Sequence, residues 1–161
     1  MNVLFVCLGN ICRSPMAEGV LKKLLKENGI QENWNIDSCG TAAYHVGEPP
    51  DPRTLVTAKE NGIILNHKGR RFQKVDWEKF DVIFAMDHSN FSNVLALKPE
   101  SADLKKLQLI RKWDNERSSL DVPDPYYGND EGFREVWQIL YQSLGNWLGN
   151  IHKKTLTKNI R

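Results

Sequence analysis

Apolar and polar positions along the chain sort into alternating strand and helix patterns. Residues 3–6, Val-Leu-Phe-Val, form an apolar run that stops at Cys7. After a short loop, Ala17, Val20, Leu21, Leu24 and Leu25 recur at helical spacing, which marks one face of an amphipathic helix. Ser14 suits the N-cap of that helix and Pro15 its first position, because a serine oxygen satisfies an orphan amide and proline has none to satisfy. Asn28-Gly29 suits its C-terminal stop. A short strand pattern follows at 34–38, and Asp51-Pro52 opens a second helix that halts at Asn61-Gly62. Residues 82–86, Val-Ile-Phe-Ala-Met, read as a fully buried parallel strand ended by Asp87. A helix over about 89–97 stops before Pro99. Leu107, Leu109 and Ile110 mark a last strand. Phe133, Val136, Trp137, Leu140, Tyr141, Leu144 and Leu148 mark a long amphipathic helix. Strands alternating with helices predict an α/β sandwich built on a parallel sheet. Ligands of such sheets bind at the carboxyl ends of the strands, where Cys7, Ser38 and Asp87 fall.

Composition narrows the function without naming it. The 161 residues suffice for one core, and a net charge of +2 is too small to argue for nucleic acid or a membrane surface. The first apolar run is too short for a span or a signal sequence, and no basic region precedes it. Three cysteines, none paired at zinc-ligand or CxxC spacing, point to free thiols in a reducing compartment, so a cytoplasmic protein without a metal is expected.

The chemistry concentrates between the first strand and the first helix, in Cys7-Leu8-Gly9-Asn10-Ile11-Cys12-Arg13-Ser14. Gly9 and Asn10 both tolerate positive φ, so the loop can curl its amides inward as an anion nest at the positive end of the helix. Arg13 adds a planar fork suited to phosphate oxygens. A thiol in such surroundings ionises readily, at a pKa of roughly 3.5–7.5 in comparable sites. A nucleophile beside a phosphate cradle implies phosphoryl transfer through a phosphocysteine.

The same eight residues resemble the signature loop of the low-molecular-weight protein tyrosine phosphatases. The resemblance continues through Asp37-Ser38-Cys39-Gly40-Thr41, residues 47–53 (Gly-Glu-Pro-Pro-Asp-Pro-Arg), Asn66-His67-Lys68-Gly69-Arg70-Arg71 and Asp124-Pro125-Tyr126-Tyr127. It reaches about Ile151, which implies a phosphatase domain over 1–151 and a basic tail over 152–161. The family fold is a three-layer sandwich with a four-stranded parallel sheet. The resemblance implies Cys7 as nucleophile, Arg13 as phosphate ligand and Asp124 as general acid, with Ser14 donating to the Cys7 sulfur. Leu8, Gly9, Asn10, Ile11 and Cys12 complete the phosphate loop. Tyr44, Tyr126 and Tyr127 wall the entry. Asn10, Ser38 and His67 brace the loop, and Asp87 positions Arg13. Cys12 is expected to form a reversible disulfide with Cys7 on oxidation. No cofactor is implied. The partners are phosphotyrosine proteins, with inorganic phosphate or similar oxyanions in the site.

Relatives of the same fold compete with this reading. A protein-arginine phosphatase carries Thr where this loop has Ile11, and a thiol-coupled arsenate reductase needs redox cysteines downstream, where none follows Cys39. A non-catalytic module that binds phosphoproteins or senses oxidants would lack part of the trio Cys7, Arg13 and Asp124. The basic loop Lys68-Gly69-Arg70-Arg71 is either a solvated surface or an attractor of acidic substrates.

Overall fold

In the computed structural model, β1 (Asn2–Cys7) turns Val3 and Phe5 to one face of the sheet and Leu4 and Val6 to the other, and all four are fully buried. A strand buried on both faces needs a layer of helices on each side, and the chain supplies both. The structure describes residues 1–158, with side chains to 153. Four parallel strands, β1, β2 (Asn35–Gly40), β3 (Val82–Ala85) and β4 (Leu107–Leu109), lie in the order β2-β1-β3-β4. On the Phe5 face pack α1 (Arg13–Glu27) and α5 (Asp130–Lys158), with Leu21, Leu25, Leu140 and Leu144 in their shared core. On the Leu4 face, Trp77 from the short α3 (Asp76–Lys79) and Val94 from α4 (His88–Ala96) complete the second core. Each large apolar side chain so buried contributes about 1.5–3 kcal/mol. The expected three-layer sandwich is the observed one.

Local signals set most element ends where the sequence places them. Asn28 closes α1 and Gly29 follows at φ +67°. Asp51 caps α2 (Pro52–Glu60) by accepting the Arg53 amide, with Pro52 in the first turn. One expectation fails: Ser14 is not the cap of α1. The helix begins two residues earlier, at Arg13, Cys12 takes the cap position, and no side chain caps it. The Ser14 hydroxyl is engaged elsewhere, as described below. α5 continues past the predicted 133–148 span, so the basic stretch from His152 carries on in helix to Lys158; residues 159–161 of the expected tail lie outside the described residues. Parallel register pairs Cys7 with Gly40, bringing the ends of β1 and β2 level with the residues that follow β3.

Candidate active site

Cys7 ends β1 almost fully buried, 3 % exposed, and the chain then turns back over it. Asn10 makes that turn with φ +59°, a left-handed conformation that asparagine accepts more readily than most residues. Gly9 does not share it. The space at Gly9 is tight, since a Cβ would lie 3.2 Å from His45 Cδ2 and the imidazole would have to give by a few tenths of an ångström. The turn brings the Asn10 amide to the Cys7 sulfur at 3.2 Å, while Ser14 Oγ sits 3.0 Å from the same atom. Gly40 closes the other side: a Cβ would stand 2.6 Å from the Leu8 carbonyl oxygen, too close to exist. The uncapped N-terminus of α1 opens into the concavity that Cys7 floors, so its orphan amides and positive dipole end are available to an anion.

Under the loop lies a continuous polar network. Asn10 Nδ2 donates to Ser14 Oγ at 2.8 Å and to Ser38 Oγ at 3.1 Å. Its Oδ1 lies 2.8 Å from His67 Nε2 and accepts the Arg70 amide at 3.0 Å. Both ends of that one side chain are therefore saturated, which holds the left-handed turn in place. Beneath it the Glu18 carboxylate accepts from Ser38 Oγ (2.8 Å) and Lys22 Nζ (2.5 Å) and lies 3.2 Å from His67 Nδ1. Burial alone would push the Glu18 carboxyl up, but hydrogen bonds from His67, Lys22 and Ser38 outweigh it and hold it below its ordinary value.

Arg13, nearly buried, spends one face of its guanidinium on protein. It donates to Asp87 Oδ2 (2.7 Å), the Val122 carbonyl (3.0 Å) and Asp124 Oδ2 (3.2 Å). Burial would lower its pKa, yet Cys7, Asp124 and Asp87 overcome that and keep it raised, so the positive charge is secure. Asp87 has two jobs at once, since its other oxygen caps α4 through the Asn90 amide.

Tyr44, Tyr126 and Tyr127 line the concavity with Leu8, Ile11 and Cys12, and Asp124 stands at its rim. Tyr127, 94 % exposed, meets the Tyr126 ring edge-on at 4.9 Å. Cys12 is buried beside Ile11 and Phe133. Burial, aided by the charges of Asp51 and Cys7, pushes its thiol up to about 12. Cys7, Cys12 and Cys39 are all free.

Four contributors escaped the sequence reading: Glu18, His45, Asp51 and Arg53. His45 lines the pocket, with its ring 6.5 Å from Tyr126 and its Nδ1 2.6 Å from Glu48. Asp51 donates its amide to the Ile11 carbonyl at 2.9 Å and accepts Arg53 Nη2 at 2.9 Å. Arg53 also donates to the Tyr126 and Gly128 carbonyls at 3.1 and 3.3 Å and lies 4.5 Å over the Phe133 ring. It thus joins the cradle to the segment that carries Asp124. Glu18 left a signal, a carboxylate among the apolar positions of α1.

As possible metal ligands, Glu18, Asp37 and His67 offer atoms within 4.8 Å of one another. Lys22 already sits on Glu18 and Arg70 on Asp37, at 2.5 and 2.8 Å, so these carboxylates are neutralised by protein cations.

The model of the low molecular weight phosphotyrosine protein phosphatase family matches residues 2–159. The low molecular weight phosphotyrosine protein phosphatase of Schizosaccharomyces pombe is 45 % identical over 94 % of this chain and 97 % of its own. The human protein of the same name is 44 % identical over 94 % and 96 %. Among solved structures, a protein tyrosine phosphatase from Entamoeba histolytica with Hepes in its active site superposes at TM-score 0.91 and 37 % identity, covering 96 % of this chain and 99 % of that one. A Drosophila arginine phosphatase superposes at 0.88 and 34 % identity, covering 94 % and 98 %.

Proposed function

Because the chain belongs to the low molecular weight phosphotyrosine protein phosphatase family, we propose that it hydrolyses phosphotyrosine in proteins, and small aryl phosphates, through a phosphocysteine. The observation that carries the mechanism is the convergence on the Cys7 sulfur of the Asn10 amide and the Ser14 hydroxyl, inside a concavity that also holds Arg13 and Asp124. The Asn10 amide donates to that sulfur and the Ser14 hydroxyl lies within hydrogen-bonding distance of it, which holds the attacking atom in place beneath the phosphate site.

In the first step Cys7 Sγ attacks phosphorus in line. The P–O bond to the tyrosyl ring breaks, and Asp124, protonated, gives its proton to the leaving phenolate. The amides at the start of α1 and the Arg13 guanidinium hold the equatorial oxygens, where charge accumulates. In the second step a water attacks the phosphocysteine. Asp124, now a carboxylate, takes its proton, the S–P bond breaks and inorganic phosphate leaves. Ser14 eases that departure by donating to the sulfur. Asn10, Ser38 and His67 hold the cradle in shape, Asp87 keeps Arg13 in register, and Tyr44, Tyr126 and Tyr127 grip the substrate ring.

Cys12 is read as a resolving thiol. Peroxide oxidises the Cys7 thiolate to a sulfenic acid. The Cys12 sulfur then attacks Cys7 Sγ, water leaves, and the disulfide protects Cys7 from further oxidation. Three free thiols suit a reducing, cytoplasmic setting.

Of the related activities, arginine dephosphorylation has a structural neighbour in its favour. Against it stand Ile11 and the tyrosine pair lining this pocket. Phosphate release from matched phosphotyrosine and phosphoarginine peptides, in chelator and without added reductant, decides between them. Preferential release from phosphotyrosine is expected. Preference for phosphoarginine would overturn the substrate assignment and leave the nucleophile standing.

A further inference from the structure

Leu8 belongs to two cavities. It lines the Cys7 concavity on one side and, on the other, a second groove bounded by Ala42, Arg71, Phe72, Ala96 and Leu97. The second groove is fixed to the catalytic loop by backbone. Thr41 and Ala42 donate their amides to the Cys7 and Leu8 carbonyls at 2.8 and 3.0 Å, and Phe72 donates its amide to the Gly40 carbonyl at 2.8 Å. Arg71 itself pairs with Gly40 in a parallel bridge, an extension of β2 at its carboxyl end. The groove and the concavity therefore keep a set separation across one exposed leucine.

The two arginines at this edge have opposite fates. Arg70 is consumed inside the molecule, 2.8 Å from Asp37 and 3.0 Å from Asp76. Arg71 is exposed, and among the described residues its side chain meets no carboxylate. Apolar Leu8, Leu97 and Phe72 floor and flank the groove, and one unspent cation stands at its edge. Resting on the proposed phosphotyrosine reading, we infer that this groove is a substrate subsite: it takes a residue flanking the phosphotyrosine, and Arg71 selects a carboxylate there. The occupant follows from continuity and charge. A peptide whose phosphotyrosine ring enters the concavity must cross its rim, and an extended chain advances about 3.3 Å per residue. The neighbours on the Leu8 side are then laid into the groove, facing a positive charge that meets no carboxylate among the described residues.

The test uses phosphotyrosine peptides carrying Glu, Gln or Lys in turn at each of the three positions before and after the phosphotyrosine. kcat/KM is measured for wild type, Arg71→Gln and Arg71→Glu, with p-nitrophenyl phosphate as a substrate that cannot reach the groove. Wild type is expected to favour Glu over Lys by about threefold at positions on one side of the phosphotyrosine, a size set by the worth of an exposed ion pair. The preference should shrink as salt is raised, vanish in Arg71→Gln and invert in Arg71→Glu, with p-nitrophenyl phosphate turnover unchanged. A Glu preference indifferent to Arg71, or no positional preference in wild type, overturns the subsite alone. No turnover of peptide or p-nitrophenyl phosphate overturns the phosphatase reading, and the subsite falls with it.

Discussion

Residues 7–14 and residues 121–128 face each other across the same pocket, but they are held by different means. The cradle is buried except at Leu8 and Gly9; Asn10 and Ser14 bond to each other, and Asn10 also to Ser38 and His67, which rest in turn on Glu18. The acid arm lies mostly at the surface, with the Asp124 side chain 42 % exposed. Three arginines hold the arm largely through its carbonyls: Arg111 at Asp121, Arg13 at Val122, and Arg53 at Tyr126 and Gly128. The difference follows the chemistry assigned to each side. Charge on the phosphoryl oxygens develops in the same place in both steps, so a rigid cradle serves it. A proton must leave Asp124 in one step and return in the next, so the arm needs contact with solvent and tolerance of small shifts.

That contrast can be broken most severely at the sulfur. Cys7→Ser is expected to lower kcat by at least about four orders of magnitude on any aryl phosphate, in steady-state assays of p-nitrophenyl phosphate, while phosphate binding persists because Arg13 and the amides remain. Asp124→Ala attacks the arm's one chemical function. Turnover of phenyl phosphate, which has a poor leaving group, should fall about 10²–10³-fold. The loss of kcat/KM with p-nitrophenyl phosphate, which reports the first step alone, should be much smaller, because that phenolate leaves without a proton; its kcat still falls with the slowed hydrolysis of the phosphocysteine.

Arg53→Met loosens the arm while keeping apolar contact with Phe133. The expected loss is about tenfold on phenyl phosphate and little on p-nitrophenyl phosphate. The loss should also be small in an Asp124→Ala background, since the two residues then act as one unit. A uniform loss on both substrates would make Arg53 a residue of general stability instead.

Glu18→Gln probes the cradle's foundation, and its signature is stability against pH. The folded protein holds the Glu18 carboxyl below its ordinary value. That stabilisation is therefore fully present above about pH 4.3, the ordinary glutamate value, and is lost as pH falls through the lower folded value. Denaturant melts should show the variant less stable by about 1–3 kcal/mol at pH 7, with the gap closing in acid. A gap that is constant with pH would contradict the network.

The cradle was legible because its parts are contiguous. Strand end, glycine, arginine and helix start fall within eight residues, and their spacing dictates their geometry. The sheet and its order of helices were legible from periodicity, as in the 82–86 run that became β3. Asp124, Tyr44 and His67 entered only through family resemblance, because an Asp-Pro pair, a lone tyrosine or a lone histidine has no local pattern that marks a site. Arg53 ends a segment that carries the resemblance, but its role has no local mark: its partners at Tyr126 and Gly128 lie more than 70 residues away. The cap role of Ser14, though not its place beside the Cys7 sulfur, fails for a related reason. Local rules assign a serine before proline to a helix cap, whereas the folded loop puts the Cys7 sulfur and the Asn10 amide group within its reach.

The proposed mechanism passes the phosphoryl group through Cys7. Rapid-quench mass spectrometry of Asp124→Ala mixed with p-nitrophenyl phosphate tests it directly, because hydrolysis of the intermediate is slowed when the carboxylate that activates water is gone. A burst of p-nitrophenol close to one per enzyme, with the phosphoryl group on the Cys7-containing peptide, is the predicted result. Turnover with no burst and no adduct, or an adduct on another residue, would contradict it.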